Sequence, residues 1–194
     1  MTNSAADISI TTSEPAILAA ARAEFERYGV RRSNMDDIAR RAGISRSTLY
    51  RRFPTKEALF ARLLHDDTEF MMARLGRVAT GRDAQSAVVE CFTLGMRMMH
   101  ENALAMRILD SEPEVMTGLA ATSGGAPILT ASKLIASSLR HSGVTMSDED
   151  VRAVSEILIR LTLSLLLSPE GQLDISDTDA VRRYAERYLA RLVW

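Results

Sequence analysis

The 194-residue sequence is poor in the residue types that form disulfides, metal centres and β-structure. A single cysteine, Cys91, excludes an internal disulfide, and the three histidines are scattered. Five prolines leave long stretches uninterrupted, aromatic residues make up only 5%, and alternating runs rich in valine and isoleucine are missing. These absences predict an all-α protein with no structural metal and no other cofactor.

Long apolar runs and targeting patterns are also missing. The most apolar stretch, residues 157–167, contains Arg160 and Ser164 and is too short to span a bilayer. The first residues lack the basic and then apolar pattern of a secretory signal. No serine–histidine–acid arrangement, glycine-rich phosphate loop or paired-carboxylate motif is present. We therefore expect a cytoplasmic protein that is not an enzyme and has no membrane partner.

Charge is distributed unevenly along the chain, although the net charge is only −1. Residues 1–64 carry 11 basic and 7 acidic side chains, a net charge of +4, whereas residues 65–194 carry 13 and 18, a net charge of −5. Residues 31–62 carry 9 basic and 3 acidic side chains, although Arg40 and Arg41 are expected to form a solvated face. This pattern predicts a nucleic-acid-binding N-terminal region joined to a body with another role.

The most informative segment is residues 33–56, SNMDDIARRAGISRSTLYRRFPTK, which has the pattern of two short helices meeting at Gly43. Ser33 is expected to cap the first helix, with Asp36 three residues later in a capping-box arrangement. Ser45 is expected to cap the second helix, which ends before a proline. This arrangement predicts a helix-turn-helix whose second helix enters the DNA major groove.

Helical periodicity in the rest of the chain completes a total of nine predicted helices. We expect a flexible arm at residues 1–12, a DNA-binding domain at residues 13–54 and a C-terminal domain at residues 55–194.

The string MDDIARRAGISRSTLYRRFPTKEAL closely resembles the N-terminal signature of TetR-family transcriptional regulators, and the resemblance covers about residues 14–64. It implies a nine-helix, all-α fold with a three-helix DNA-binding head and a helical body for ligand binding and dimerisation. It further implies a homodimer, in most members a repressor, that a small molecule releases from a palindromic operator in double-stranded DNA. Beyond the head the resemblance is architectural, so it does not identify the effector.

Base reading and phosphate binding call for different side chains. Arginine presents a rigid fork that pairs bidentately with guanine, and Arg46 and Arg51 are the candidates for base reading. Tyr50 and Lys56 resemble the family residues that contact phosphate, and helix starts supply further donors. The complete candidate set is Ser33, Ser45, Arg46, Ser47, Thr48, Tyr50, Arg51, Arg52 and Lys56.

The last two predicted helices, at residues 147–167 and 177–192, are candidates for a dimer interface. The first is apolar nearly all round, which indicates burial on two sides, one of them against a partner. Two helices from each subunit would then form a four-helix interface, and the alternative is that both helices pack only within their own chain. The candidate interface residues are Val154, Leu158, Leu161, Leu165, Val181, Tyr184 and Tyr188.

A ligand pocket is expected in the methionine-rich part of the body, because methionine adapts to irregular ligands. Phe92, Thr93, Met99 and Met106 are the candidate lining residues, and ordinary core packing is the alternative for each of them. Few aromatic and acidic residues occur in this region, which favours a neutral or apolar ligand over a cationic one.

Together these patterns predict a DNA-binding repressor that a small, hydrophobic effector releases from a palindromic operator. One alternative is an activator, or a regulator controlled by another protein instead of a ligand. A second is a helical enzyme or carrier that keeps the head, which the missing catalytic motifs disfavour.

Overall fold

The computed structural model describes residues 14–115 and 126–194, which contain nine α-helices, a further helical stretch at residues 113–115 and no β-strand. The expected all-α class is therefore confirmed, while the arm expected at residues 1–12 lies outside the described residues. None of the helices in the described part of the chain is long and apolar enough to cross a membrane. The helices are α1 (Glu14–Arg32), α2 (Met35–Arg41), α3 (Arg46–Arg52), α4 (Lys56–Ala79), α5 (Ala84–Glu101), α6 (Ala103–Ser111), α7 (Ala126–His141), α8 (Asp148–Leu167) and α9 (Thr178–Tyr184), which a π turn (Ala185–Leu189) and a 3-10 turn (Ala190–Leu192) extend.

The chain divides into two compact units, Met1–Leu64 and His65–Trp194, so the division falls inside α4 and not ahead of it. The first turns of α4 carry Leu59 and Phe60, which are 0% and 1% exposed. The Phe60 ring meets the Phe25 ring of α1 edge to face, with centroids 5.8 Å apart. The N-terminal unit, called the head below, therefore includes the start of α4 because its core needs those apolar side chains.

The start of α2 differs from the prediction. Asn34 is the N-cap, and its Oδ1 accepts a hydrogen bond from the backbone N–H of Asp36 at 2.9 Å. Ser33 is buried, and its hydroxyl donates to the carbonyl oxygen of Gly29 at 2.5 Å and lies 3.2 Å from that of Glu24. The predicted capping box of Ser33 with Asp36 is therefore wrong. Gly29 has a φ of 77°, which turns the chain out of the long part of α1 and leaves Ser33 facing that helix.

The C-terminal unit, called the body below, has one apolar core between α5, α7, α8 and the final helical segment. Arg182 of α9 joins Glu90 of α5 through a two-pronged ion pair, with Nη1–Oε1 and Nη2–Oε2 distances of 2.5 and 3.0 Å. The backbone N–H of Thr145 donates to the carbonyl oxygen of Trp194 at 2.9 Å. These contacts hold the end of the chain against the core.

Candidate DNA-binding surface and ligand cavity

α3 is a two-turn helix that local contacts hold in place. Ser45 caps it, with Oγ accepting from the backbone N–H of Thr48 at 3.2 Å and lying 3.0 and 2.9 Å from the hydroxyls of Ser47 and Thr48. The turn before it runs through Gly43, whose φ is +69°. Leu49 is 0% exposed and anchors the inner face. The cap predicted at Ser45 is confirmed, and the opposite face of α3 remains available to a ligand.

The outer face of α3 carries hydrogen-bond donors. Because residues three and four apart share a helix face, Ser47, Tyr50 and Arg51 lie together there. Tyr50 is 41% exposed although it is aromatic. The exposed predicted residues are Ser45, Arg46, Ser47, Tyr50, Arg51 and Arg52, and Thr48 is half-buried. Hydroxyl and guanidinium donors on a two-turn helix of this kind suit contacts to base edges and to phosphates.

Arg46 makes an ion pair with α2. Its Nε lies 2.6 Å from Oδ1 of Asp36, and the two side chains are 67% and 34% exposed. The pair joins the first turn of α3 to the first turn of α2. The predicted base-reading arginine is therefore held by a carboxylate of the preceding helix.

Lys56 and Ser33 form contacts within the head. The Lys56 ammonium donates to the carbonyl oxygens of Arg31 at 2.7 Å and of Ser33 at 3.2 Å. These bonds tie the start of α4 to the end of α1 and leave one of the three ammonium protons of Lys56 for another acceptor. Asn34, which the sequence interpretation passed over, is exposed at the start of α2. Its signal was the short polar side chain directly before the first apolar residue of the helix.

The neighbouring pair Arg40 and Arg41 divides between two environments. Arg40 pairs with Asp37 on the same helix, and its side chain is 76% exposed. Arg41 is 46% exposed, but its Nη2 lies 3.8 Å from a carboxylate oxygen of Glu24, whose side chain is only 4% exposed. The expectation of a solvated face therefore fits Arg40, whereas Arg41 supplies positive charge beside a buried carboxylate.

The body contains a cavity of about 300 Å³ between α4, α5, α7 and α8. Of the predicted pocket residues, Phe92 and Met99 line it. Thr93 and Met106 do not, and the Thr93 hydroxyl is buried and donates to the carbonyl oxygen of Val89 at 2.8 Å. The lining residues are Met71, Met72, Leu75, Gly76, Ala87, Val88, Cys91, Phe92, Gly95, Met99, Ala131, Leu134, Ile135, Ser138, Leu139, Leu158, Ile159, Thr162, Leu163 and Leu166.

Polar groups are few in this cavity, and none of its lining side chains in the described part of the chain carries a charge. The Thr162 hydroxyl donates to the carbonyl oxygen of Leu158 at 2.8 Å. The Cys91 thiol lies 3.5 Å from the carbonyl oxygen of Leu75, and burial raises its pKa to about 11. The thiol is therefore protonated at neutral pH and acts as an apolar lining group. Such a lining fits an uncharged, largely apolar ligand.

The predicted dimer residues occupy several environments. Val154, Leu158 and Val181 are 8%, 7% and 1% exposed and belong to the core of their own chain, so they are removed from the candidate interface. Leu161, Leu165 and Tyr184 are partly buried against the same core. Periodicity identified an apolar stripe on α8 but did not distinguish the side that faces its own domain.

Other apolar side chains are left exposed on the body. Tyr188, the remaining predicted interface residue, is 51% exposed, and its ring lies 5.1 Å from that of Tyr184 between centroids. Ile157 of α8 is 49% exposed, and Trp194 at the end of the described chain is 59% exposed. Ile157 therefore lies on a side of α8 that the core of its own chain leaves uncovered, whereas Leu161, one turn further along, packs partly against that core.

A basic helix-turn-helix in one unit and a helical body in the other define the class of helix-turn-helix transcriptional regulators. The family description "Bacterial regulatory proteins, tetR family" matches residues 17–63, and "Bacterial Tetracyclin repressor, C-terminal domain" matches residues 83–187. The chain belongs to the TetR family of transcriptional regulators.

Individual relatives agree with this assignment. The HTH-type transcriptional regulator AlkX of Mycobacterium tuberculosis is 30% identical over 169 residues, which cover 79% of this chain and 76% of that protein. An uncharacterised HTH-type regulator of Mycobacterium bovis, Mb2274c, is 35% identical over 96 residues, and this match spans about half of each protein, 50% and 49%.

The fold agrees with solved structures. The TetR family repressor AlkX from a Dietzia strain, implicated in the biodegradation of n-alkanes, superposes with a TM-score of 0.67 over 94% of this chain and 100% of that one. At 20% identity, this likeness concerns the fold.

Proposed function

We propose that this TetR-family regulator is a homodimeric repressor that acts in the cytoplasm and leaves its operator when an uncharged, apolar effector enters the cavity of the body. The observation that carries the DNA-binding part is the capped helix α3, with its inner face buried at Leu49 and its outer face exposing arginines and hydroxyls. Repression is supported by the structural neighbour from Dietzia, which is described as a repressor.

Each candidate DNA-binding residue of the head has a specific proposed role. Arg46 and Arg51 read base edges, since both are exposed at the ends of the short α3. Tyr50 donates to a phosphate through its exposed hydroxyl. The remaining α3 contacts, from Ser45, Ser47, Thr48 and Arg52, position the helix on the duplex. Ser33 is replaced by Asn34 in this set, because Ser33 is buried and Asn34 is exposed at the start of α2.

Lys56 is retained in a reduced role. Two of its ammonium protons are directed at the carbonyl oxygens of Arg31 and Ser33, so it fixes the start of α4 and offers a phosphate its charge and one remaining donor.

Dimerisation is proposed through the exposed apolar residues of α8 and the final segment. Ile157 provides the exposed contact of α8, beside the partly buried Leu161, and Tyr188 provides an aromatic anchor from the π turn. A two-fold dimer would place two α3 helices on half-sites separated by about 34–36 Å or a multiple of it. Size-exclusion chromatography with light scattering, on the wild type and on Ile157→Glu with Tyr188→Glu, tests this step, and a wild-type monomer would contradict it.

The effector is proposed to be a neutral molecule rich in hydrocarbon. A charged group would lose its hydration in this cavity without gaining a counter-charge, and such a loss costs several kcal/mol or more. Ser138 and Thr162 are the hydroxyl side chains of the lining and would accommodate at most a few polar atoms. The Dietzia neighbour is implicated in the biodegradation of n-alkanes, which are molecules of this class, and this supports the proposal.

Sequence-selective binding is tested with the full-length protein and a library of random duplexes, from which bound sequences are recovered. We expect a palindromic consensus and affinity that falls steeply with salt, because phosphate contacts release counterions. Arg46→Ala and Arg51→Ala should lose selectivity, whereas the control Arg40→Ala, which removes an exposed charge from α2, should keep it. Recovery of no consensus by the wild-type protein would refute DNA recognition.

Release by the effector is tested by adding ligands to the complex of protein and selected duplex. We expect straight-chain hydrocarbons or their alcohols to release DNA and to raise the melting temperature of the free protein. The matched ligands are carboxylates and amines of equal chain length, which should do neither. A promoter fusion in cells with the gene deleted then separates repression, where reporter expression rises, from activation, where it falls.

A further inference from the structure

The ion pair between α2 and α3 differs from an ordinary surface pair. Oδ1 of Asp36 is shielded from solvent, and no donor in the described part of the chain forms a hydrogen bond with it. Arg46 Nε lies 2.6 Å from this oxygen, close enough for an ion pair but outside hydrogen-bond alignment. A carboxylate oxygen that water does not reach depends on a counter-charge in the protein, so the interaction holds Arg46 more firmly than a solvated pair would.

The backbone that carries this carboxylate is itself fixed in place. Asp36 lies in the first turn of α2, and its backbone N–H donates to the cap residue Asn34. Arg46 opens α3, so the pair links the starts of the two helices of the motif. The contact is to Nε, which leaves the two terminal nitrogens, Nη1 and Nη2, as a pair of donors on the exposed end of the side chain.

We propose that Asp36 is a positioning residue that orients the Arg46 guanidinium for base reading and thereby sets sequence discrimination. The inference rests on the proposed DNA-binding function. An arginine side chain loses much rotamer entropy when a contact orders it, and a carboxylate that orders it beforehand reduces this loss on binding. Asp36 also places a negative charge on the DNA-facing unit, so it weakens sequence-independent attraction while it sharpens recognition.

α2 itself offers a matched control. Asp37 directly follows Asp36 and pairs with Arg40, a residue of the same helix that the proposed function leaves out of base reading. Asp36→Asn and Asp37→Asn remove the same charge from neighbouring positions. Both variants keep the backbone donors and nearly the same side-chain shape, so the cap formed by Asn34 is retained.

The experiment compares full-length wild type, Asp36→Asn, Asp37→Asn, Arg46→Ala and the double variant Asp36→Asn with Arg46→Ala. Wild type first selects its duplex from a random library. Dissociation constants are then measured for that duplex, for duplexes with each guanine replaced in turn, and for an unrelated duplex. Thermal unfolding followed by circular dichroism establishes that every variant is folded.

We expect Asp36→Asn to bind the unrelated duplex more tightly than wild type and to lose about fivefold or more of its discrimination at one guanine of each half-site, the lower end of what one bidentate arginine–guanine pair contributes. Arg46→Ala should lose discrimination at the same guanine, and adding Asp36→Asn to it should change this discrimination no further. Asp37→Asn should show the rise in unspecific binding alone.

Two results would overturn the inference. If Asp36→Asn discriminates as well as Asp37→Asn does, Asp36 acts only through its charge. If its specific binding instead tightens with discrimination intact, the carboxylate competes with DNA for Arg46. A wild-type protein that selects no sequence overturns the proposed function as well, which separates that failure from the first two.

Discussion

Ser45→Ala removes the hydroxyl on which the start of α3 depends. The Ser45 Oγ accepts from the backbone N–H of Thr48 at 3.2 Å and contacts the hydroxyls of Ser47 and Thr48. Loss of an N-cap serine costs about 1 kcal/mol in free energy of unfolding. α3 has only seven residues, too few to be helical without its cap and its packing, so we expect its first turn to fray.

The body supplies the control for this change. Ser147 caps α8 in the same way, with Oγ accepting from the backbone N–H of Asp150 at 3.1 Å. Ser147→Ala should therefore lower the free energy of unfolding by a similar amount, about 1 kcal/mol. Its cap lies in the body, which has no proposed contact with DNA, so its affinity for DNA should stay close to that of wild type.

DNA binding separates the two variants. If the full 1 kcal/mol must be recovered when α3 is ordered on the duplex, Ser45→Ala weakens specific binding about fivefold. Ser45→Thr keeps a capping hydroxyl, so it should retain most of the free energy of unfolding and most of the affinity for DNA. This variant distinguishes the capping hydroxyl from other properties of the serine side chain. Fluorescence anisotropy with the selected duplex and urea unfolding followed by circular dichroism measure the two effects. Equal DNA affinity of Ser45→Ala and Ser147→Ala would refute the reasoning.

The remaining predictions concern the body. Gly95→Leu should abolish release of DNA by the effector but keep DNA binding, as measured by anisotropy. A Cβ at Gly95 lies 4.0 Å from Leu75, an ordinary contact distance, so the rest of the leucine side chain would occupy the cavity. An undiminished response to the effector would contradict this prediction. The hydrogen bond from Arg182 lowers the pKa of Glu90 in the folded protein below its ordinary value of 4.5. The ion pair therefore contributes its full stability above pH 4.5, and this contribution is lost as the pH falls through the lowered pKa of the folded state. Glu90→Gln should thus lower the free energy of unfolding at pH 7 by about 1 kcal/mol, a value reduced by solvent screening, and should weaken its dependence on acidic pH. An unchanged dependence on pH would exclude this role. Burial raises the pKa of Cys91 to about 11, so iodoacetamide at pH 8 should label it only after unfolding by urea, as mass spectrometry would detect.

Much of the head was predictable because its signals are local. A cap, a glycine and a proline act over three or four residues, so Ser45, Gly43 and the end of α3 follow from the sequence alone. The same reasoning failed at Ser33, because its hydroxyl turns inward to α1, where it donates to the carbonyl oxygen of Gly29 and also lies near that of Glu24.

The roles of individual residues in the body were less predictable, because they depend on which helices pack against one another. Phe92 and Met99 line the cavity, but glycines and aliphatic residues from four different helices line it too. Residue spacing within one segment cannot predict that side chains from separate helices come together. Similarly, Val154 and Ile157 are both apolar residues of α8, and only the packing of α8 in the body buries the first and leaves the second 49% exposed.

The sequence by itself determined the helical class, the helix-turn-helix and the basic character of the head, since periodicity, caps and charge are properties of short segments. The tertiary structure alone decided that Asp36 holds Arg46, that Lys56 ties α4 to α1, and which apolar residues line the cavity. These last features depend on distances between helices, and such distances are set by how the cores pack.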